Sequence, residues 1–296
     1  AGFGNHNFLN LKDPDLMLSC VQIYNDFQTE FASADSRRLL PVCSVPFWDV
    51  QATATEVRRC HAMGHKGILF TGSPESFGMP GFSDPHWDPL WEVAAELDMP
   101  FSFHIGSGGI EDDLPAAKVA REGARRVFAA MSVPMTLTTA THMSNLIMSG
   151  VLIRYPTLKF VSVESSIGWI PYMLDTLDFS FRQFQVGENH PEFDMLPSEY
   201  FKRNIFACNL HEKIPAGLSV DNILFETDFP HPGSLYGKDL WDEVERCLGN
   251  ETETVRRKVL FENAQKLFKV ELPTAKDEAR LEKVLAEAKP FWTAAA

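Results

Sequence analysis

The chain has 296 residues, 45% of them hydrophobic and 23% charged, with a formal net charge of −13. That length suits one barrel-sized domain of roughly 250 residues or two smaller ones, and the composition is that of a globular protein. The acidic balance argues against a nucleic-acid surface, because phosphates are met with clusters of Lys and Arg, and no run of 18 apolar residues is present to cross a membrane.

The first residues, Ala1-Gly-Phe-Gly-Asn-His6, lack a basic segment followed by an apolar one, so no signal peptide is expected. Five scattered cysteines without a C-x-x-C read as reduced thiols in a cytoplasmic protein. Residues 1–13 read as irregular. Asp13-Pro14-Asp15 carries helix-start signals, and a helix is expected over 14–34. Residues 39–47 read as a strand whose Pro41 and Pro46 suit a position near an edge. An amphipathic helix over 49–63 stops at Gly64, and a short strand follows over 67–71. The loop 72–89 is long and rich in aromatic residues, which favours an ordered, functional segment. A helix over 90–97 leads into a strand, 100–106, that carries His104. Helices are then expected over 115–131 and 135–149, a strand over 158–164 and a helix from Ile167 to Asp178. Residues 182–200 read as loop and 204–209 as strand. Residues 210–217 read as helix-like and 222–228 as strand, with helices over 238–249 and 252–268. The segment 274–290 reads as a charged amphipathic helix, followed by Phe291 and Trp292 placed to pack on the body or on a partner subunit.

Strands alternating with helices predict an α/β protein with a parallel sheet. Six strands are counted, in one domain over 1–270, with a helical tail over 271–296. Four of the strands end in polar residues: His104, Glu164, Asn209 and the Glu226-Thr227-Asp228 run before Pro230. In parallel α/β barrels the C-terminal ends of the strands form the open mouth where chemistry sits. Alternation puts Ser102 with His104, Ser162 with Glu164 and Glu226 with Asp228 on one face, expected to point at a common centre. Phe101, Phe103, Val161, Val163, Phe225 and Thr227 are expected to face covering helices.

Each candidate has a plainer reading. Asp228 also suits a turn aspartate before Pro230. Glu164 also suits a carboxylate paired with an arginine, and His231 a loop histidine. Trp87, Trp91, Phe77 and Phe82 line either a pocket in the long loop or the core. His61 and His65 are spaced i, i+4, but their helix leads into the start of the strand at 67, which places them at the bottom of the barrel in a structural role. Gly106-Ser-Gly-Gly109 reads as a turn needing positive φ rather than a phosphate cradle.

Five stretches together resemble the amidohydrolase-related family of metal-dependent TIM barrels, the group that includes aminocarboxymuconate-semialdehyde decarboxylase. They are Trp87-Asp-Pro-Leu-Trp91, Pro100 to Gly108, Leu158 to Asp178 with its Val-Glu-Ser-Ser-Ile-Gly-Trp-Ile-Pro-Tyr core, Phe225 to His231, and Phe261 to Phe268. The resemblance implies a TIM-like (β/α) barrel and a metal-dependent hydrolase or decarboxylase acting on a small, aromatic or carboxylated molecule. It implies His104 and Asp228 as metal ligands, with Asp228 also as catalytic base. It puts Glu164 at a catalytic position where decarboxylases of the group carry histidine, and His231 at the substrate; Trp87 in the long loop and Asn209 at its strand end are expected substrate contacts from their own positions. The implied cofactor is a divalent ion, zinc first, with manganese or iron also suited to these donors. The implied partners are a small-molecule substrate and a second copy in a homodimer. The family's His-x-His of the first strand has no counterpart here, so the first one or two strands and one side of the metal site are expected to be missing from this chain. That departure supports an alternative: a catalytically silent barrel serving binding or assembly.

Overall fold

The computed structural model describes residues 8–9, 11–106, 116–231 and 234–271. The tail expected over 274–290, Phe291, Trp292 and residues 107–109 lie outside the described residues.

Helix α1, Pro14–Ala32, opens on Asp13, whose carboxylate accepts the N–H groups of Asp15 and Leu16. Six strands follow: β1 Val42–Ser44, β2 Gly67–Phe70, β3 Phe101–His104, β4 Phe160–Val163, β5 Ile205–Asn209 and β6 Ile223–Phe225. All neighbours pair in parallel, in the order β1-β2-β3-β4-β5-β6. This is a partial barrel wall, and among the described residues no strand precedes Val42. The expected first strand shrinks to three residues because Pro41 and Pro46 bracket it and neither can donate to a ladder. Its outer edge at Ser44 is closed by a buried side chain of α1. The Asn25 carboxamide donates to the Ser44 carbonyl and accepts the Ser44 N–H, each at 2.9 Å.

The helices are α2 Val50–Ala62, α3 Asp88–Leu97, α4 Ala116–Glu122, α5 Ala124–Met148, α6 Val151–Arg154, α7 Ile170–Gln183, α8 Val186–Asn189, α9 Pro197–Asn204, α10 Gly237–Leu248, α11 Glu253–Arg257 and α12 Asn263–Phe268. Three expectations change. Helix α5 runs straight through Pro134, where two helices were expected. Residues 182–200 are largely helical, and Glu199 caps α9 by accepting the Leu196 N–H at 2.8 Å. Residues 210–217 form no helix, because Asn209 pulls Glu212 into a turn and Pro215 and Gly217 (φ +81°) end the segment.

The strand register sorts side chains into two faces. Outward, toward the helices, point Phe70, Phe101, Phe103 and Phe160, all fully buried. They form an aromatic core with Trp87, Trp91 and Phe82, with ring centroids 5.0–6.5 Å apart. The loop 72–89 is therefore ordered because its aromatic residues plug the helix-side core. Inward point Ser44, Leu69, Ser102, Val161, Cys208 and Leu224, which line a cavity of about 390 Å³. The inner face is thus mainly apolar. Ser102 and His104 face inward as expected, but on β4 it is Val161 and Val163 that do so. Ser162 is buried on the outer side, its hydroxyl without a hydrogen-bond partner.

Buried His142 on α5 packs against Gly72 at the end of β2, where an added Cβ would lie 2.3 Å from the ring Nδ1. Burial pushes this imidazole from 6.5 down to about 4. Below pH 6.5 the unfolded chain takes up a proton that the folded chain refuses, so stability falls as pH drops toward 4. That single group costs about 2.5 kcal/mol at pH 4.5 relative to pH 7.5. His142→Gln is expected to lose about that much less stability than the wild type over the same interval, measured by urea unfolding at the two pH values.

Candidate metal centre

Four of the expected side chains meet at the C-terminal ends of the strands. His104 closes β3, and its Nδ1 lies 2.7 Å from the Ile105 carbonyl oxygen. A carbonyl only accepts, so Nδ1 carries the proton and Nε2 is turned to Glu164 Oε2, 2.9 Å away. Asp228 Oδ2 lies 2.9 Å from His231 Nδ1. One ligating atom each from Glu164, Asp228 and His231 fall within 4.8 Å of one another.

Alternation alone does not produce this cluster. Val163 faces inward, so a continuing strand would send Glu164 out toward the helices. Instead Glu164 adopts φ +56°, a left-handed turn that brings its side chain back over the barrel to His104. Strand β6 likewise stops at Phe225, and Asp228 enters the mouth through φ +54°. Non-glycine residues in this region cost about 1–3 kcal/mol each and persist where surrounding contacts over-determine them. At Glu164 the contact is visible: its N–H donates to Glu226 Oε1 at 2.7 Å.

The His104–Glu164 contact favours the charged form of both groups. Burial alone would push the imidazole down, but the hydrogen bonds to Glu164 and to the Ile105 carbonyl, with the Glu164 charge, hold it above its ordinary value. Glu164 is held below the usual carboxylate range: burial opposes this, and the bond to His104 and the histidine charges outweigh it. Glu226 goes the other way. Burial pushes it up to about 7 despite hydrogen bonds from Cys208 and the Glu164 N–H.

Two expected substrate contacts are not in the mouth. Asn209 is fully buried, and the register pairs it with Phe225 on the outer face. Its carboxamide accepts the Glu212 N–H at 2.9 Å and donates to the Glu212 carbonyl at 2.8 Å, a structural clamp. Trp87 is fully buried, with its indole N–H on the Pro80 carbonyl at 2.8 Å and Phe70 at its edge. His61 and His65 stay away from the mouth as expected, and buried His65 sits 3.0 Å from the Thr29 hydroxyl. Glu226 was expected on the inward face but given no role, and Glu212 was not singled out. Glu226 reaches under Glu164, and Glu212 accepts the N–H groups of Ile167 and Gly168 at the next turn. Their signal is weak: an acid at the end of an apolar strand, and an acid three residues after an asparagine.

The gamma-resorcylate decarboxylase of Polaromonas sp. strain JS666 is 26% identical over 258 residues, spanning 83% of this chain and 75% of the decarboxylase. Among solved structures, a dihydroxybenzoic acid decarboxylase of Polaromonas sp. JS666, with bound manganese and the inhibitor 2-nitroresorcinol, superposes with a TM-score of 0.65 at 22% identity. It covers 88% of this chain and 78% of that one. An amidohydrolase of Mycobacterium avium subsp. paratuberculosis K-10 superposes with a TM-score of 0.62 at 24% identity, over 77% of this chain and 57% of that one. These likenesses carry the fold. The sequence profile of the amidohydrolase family matches residues 14–270, and the chain belongs to that family.

Proposed function

We propose that the protein is a metal-dependent decarboxylase of small aromatic carboxylic acids. The observation that carries this reading is the convergence of Glu164, Asp228 and His231 on one point beside His104, at the mouth of a barrel of this family. The relatives named above include decarboxylases of hydroxylated benzoic acids, which supports the substrate class.

Two carboxylates and two imidazoles, both carboxylates aimed inward by left-handed residues, fit a divalent ion. His104 and Asp228 would hold it, with Glu164 and His231 beside them, and manganese and zinc both suit these donors. When bound, such an ion orients the carboxylate and phenolic oxygen of the substrate and withdraws charge from them. The chain's own groups do the rest. The Ile105 carbonyl fixes the His104 tautomer and ring direction. His231 orients Asp228 from the exposed side. In this reading Asp228 takes up a proton from solvent at the open mouth and hands it to the ring carbon that bears the carboxylate. Loss of CO₂ then returns the bonding electron pair to the ring. The inner cavity of about 390 Å³, mainly apolar, falls in the size range of small-molecule sites.

One observation favours the silent-barrel alternative: the His104–Glu164 contact at 2.9 Å is also what a structural ion pair tying two strand ends together would make. Metal binding must displace the proton they share, so it releases protons and weakens at low pH. Titration calorimetry with MnCl₂ and ZnCl₂, with CO₂ release from 2,6-dihydroxybenzoate, decides between the two. Near-stoichiometric binding and metal-dependent CO₂ release are expected. Neither binding nor release would overturn the proposal in favour of a binding module.

A further inference from the structure

We infer that Glu226 is a positioning residue of this centre: its carboxyl fixes the main chain of Glu164, so that the Glu164 side chain reaches His104 rather than the outer face of the sheet. The functional half of this inference rests on the metal-site proposal above. The structural half stands on the fold alone.

The segment Glu164–Gly168 leaves β4 through two left-handed residues, Glu164 (φ +56°) and Ser166 (φ +58°). Neither glutamate nor serine has an intrinsic preference for that conformation, so beyond the Glu164–His104 contact it is held by its surroundings. Two acids beyond the ends of β5 and β6 hold the segment's N–H groups, while the Trp169 indole N–H donates to the Ser165 and Ser166 carbonyls. At the downstream end the Glu212 carboxylate accepts the N–H groups of Ile167 and Gly168. An added Cβ at Gly168 would lie 2.7 Å from Glu212 Oε1 and would push that carboxylate off the two N–H groups. Glu212 is itself clamped by Asn209 at the end of β5. At the upstream end Glu226 Oε1 accepts the Glu164 N–H at 2.7 Å. Glu226 is anchored in turn, since its own N–H continues the sheet ladder onto the Asn209 carbonyl at 3.1 Å. It shares the inward face with Leu224, so its carboxyl lies beneath the turn it holds.

The consequence is geometric. Without an acceptor at Glu226, the Glu164 N–H is left unpaired in a half-buried place, and the left-handed turn loses its upstream hold. The relaxed, extended conformation at Glu164 continues the alternation of β4, and the side chain then points to the helix side, away from His104 and Asp228. Glu226 touches neither substrate nor ion in this scheme. It acts through Glu164.

The experiment uses the whole chain with Glu226→Gln and Glu226→Leu. Glutamine keeps a carbonyl oxygen at the acceptor position, and leucine keeps the volume without it. Crystal structures of the metal-free proteins and Mn²⁺ affinities by titration calorimetry are compared. Glu226→Gln is expected to keep the left-handed Glu164, its contact with His104 and a Mn²⁺ affinity within threefold of wild type. Glu226→Leu is expected to melt within a few degrees of wild type, since relief of the half-buried carboxyl and of the strained turn offsets the unpaired Glu164 N–H. It should nonetheless lose the Glu164–His104 contact and bind Mn²⁺ about 10- to 100-fold more weakly, the usual cost of removing an outer partner of a ligand. Glu226→Ser, too short to reach the amide, is read in the same way where the leucine variant does not fold. Glu164 still turned onto His104 in the leucine or serine structure would overturn the inference, as would equal Mn²⁺ weakening in the glutamine variant. Absence of Mn²⁺ binding by the wild type would sink the metal-site proposal instead, and the metal-free structures would still decide the role of Glu226.

Discussion

Asp228→Asn is expected to slow CO₂ release from 2,6-dihydroxybenzoate by about 10²- to 10⁴-fold, the range for losing a positioned proton carrier. The substitution isolates the chemistry because the shape survives. The asparagine side-chain oxygen can still accept from His231 Nδ1, now 2.9 Å from the carboxylate. Asparagine and aspartate are also the two residues, after glycine, that best tolerate the left-handed backbone found there. What is lost is the capacity to take up and hand on a proton, and one negative charge of the donor set. The variant should therefore melt within a few degrees of wild type while kcat collapses, and its Mn²⁺ affinity should fall as well. Measuring kcat at saturating Mn²⁺ separates the two losses. A variant that keeps more than a tenth of the wild-type kcat there would move the proton-carrying role to another group. Glu164 is then the first candidate, because it lies in the same cluster.

That cluster was legible in the residue types but not in the geometry that assembles it. Polar residues at strand ends marked His104, Glu164 and Asp228, and the mouth of the barrel does collect them. The supporting argument, strict alternation with polar residues inward, holds on β3 and fails on β4. There, valines line the interior and Ser162 is buried outside. Glu164 reaches the centre only by leaving the strand through a left-handed turn, and no propensity scale marks a glutamate for that conformation. The force that imposes the turn is a hydrogen bond from a residue 62 positions away, Glu226. Contacts of that separation are set by tertiary packing and leave no local signal. The same limit explains Asn209. It ends a strand as expected, but register decides which face it takes, and one residue of phase moves it from mouth to core side.

Trp87→Ala puts a second expected substrate contact to a measurement. A tryptophan in a long loop before a helix suits either an aromatic pocket or the core, and the two make opposite predictions. In the structure the indole is fully buried, packed edge-on against Phe70 with centroids 5.1 Å apart and tied to the Pro80 carbonyl. Truncation there removes the largest kind of side chain from a site walled by the aromatic core and leaves that carbonyl unpaired. Large-to-small changes of this type cost about 3–5 kcal/mol, and the hydrogen-bond loss places this one toward the top of that range. In a chain of this length that corresponds to a melting temperature lower by about 10 °C. The centre itself is built from the inner face, whereas Trp87 sits on the outer one. Mn²⁺ affinity and the KM for 2,6-dihydroxybenzoate, measured well below the lowered transition, should therefore stay within about twofold of wild type. A raised KM with unchanged stability would place the ring in the substrate pocket and restore the assignment made from residue type alone.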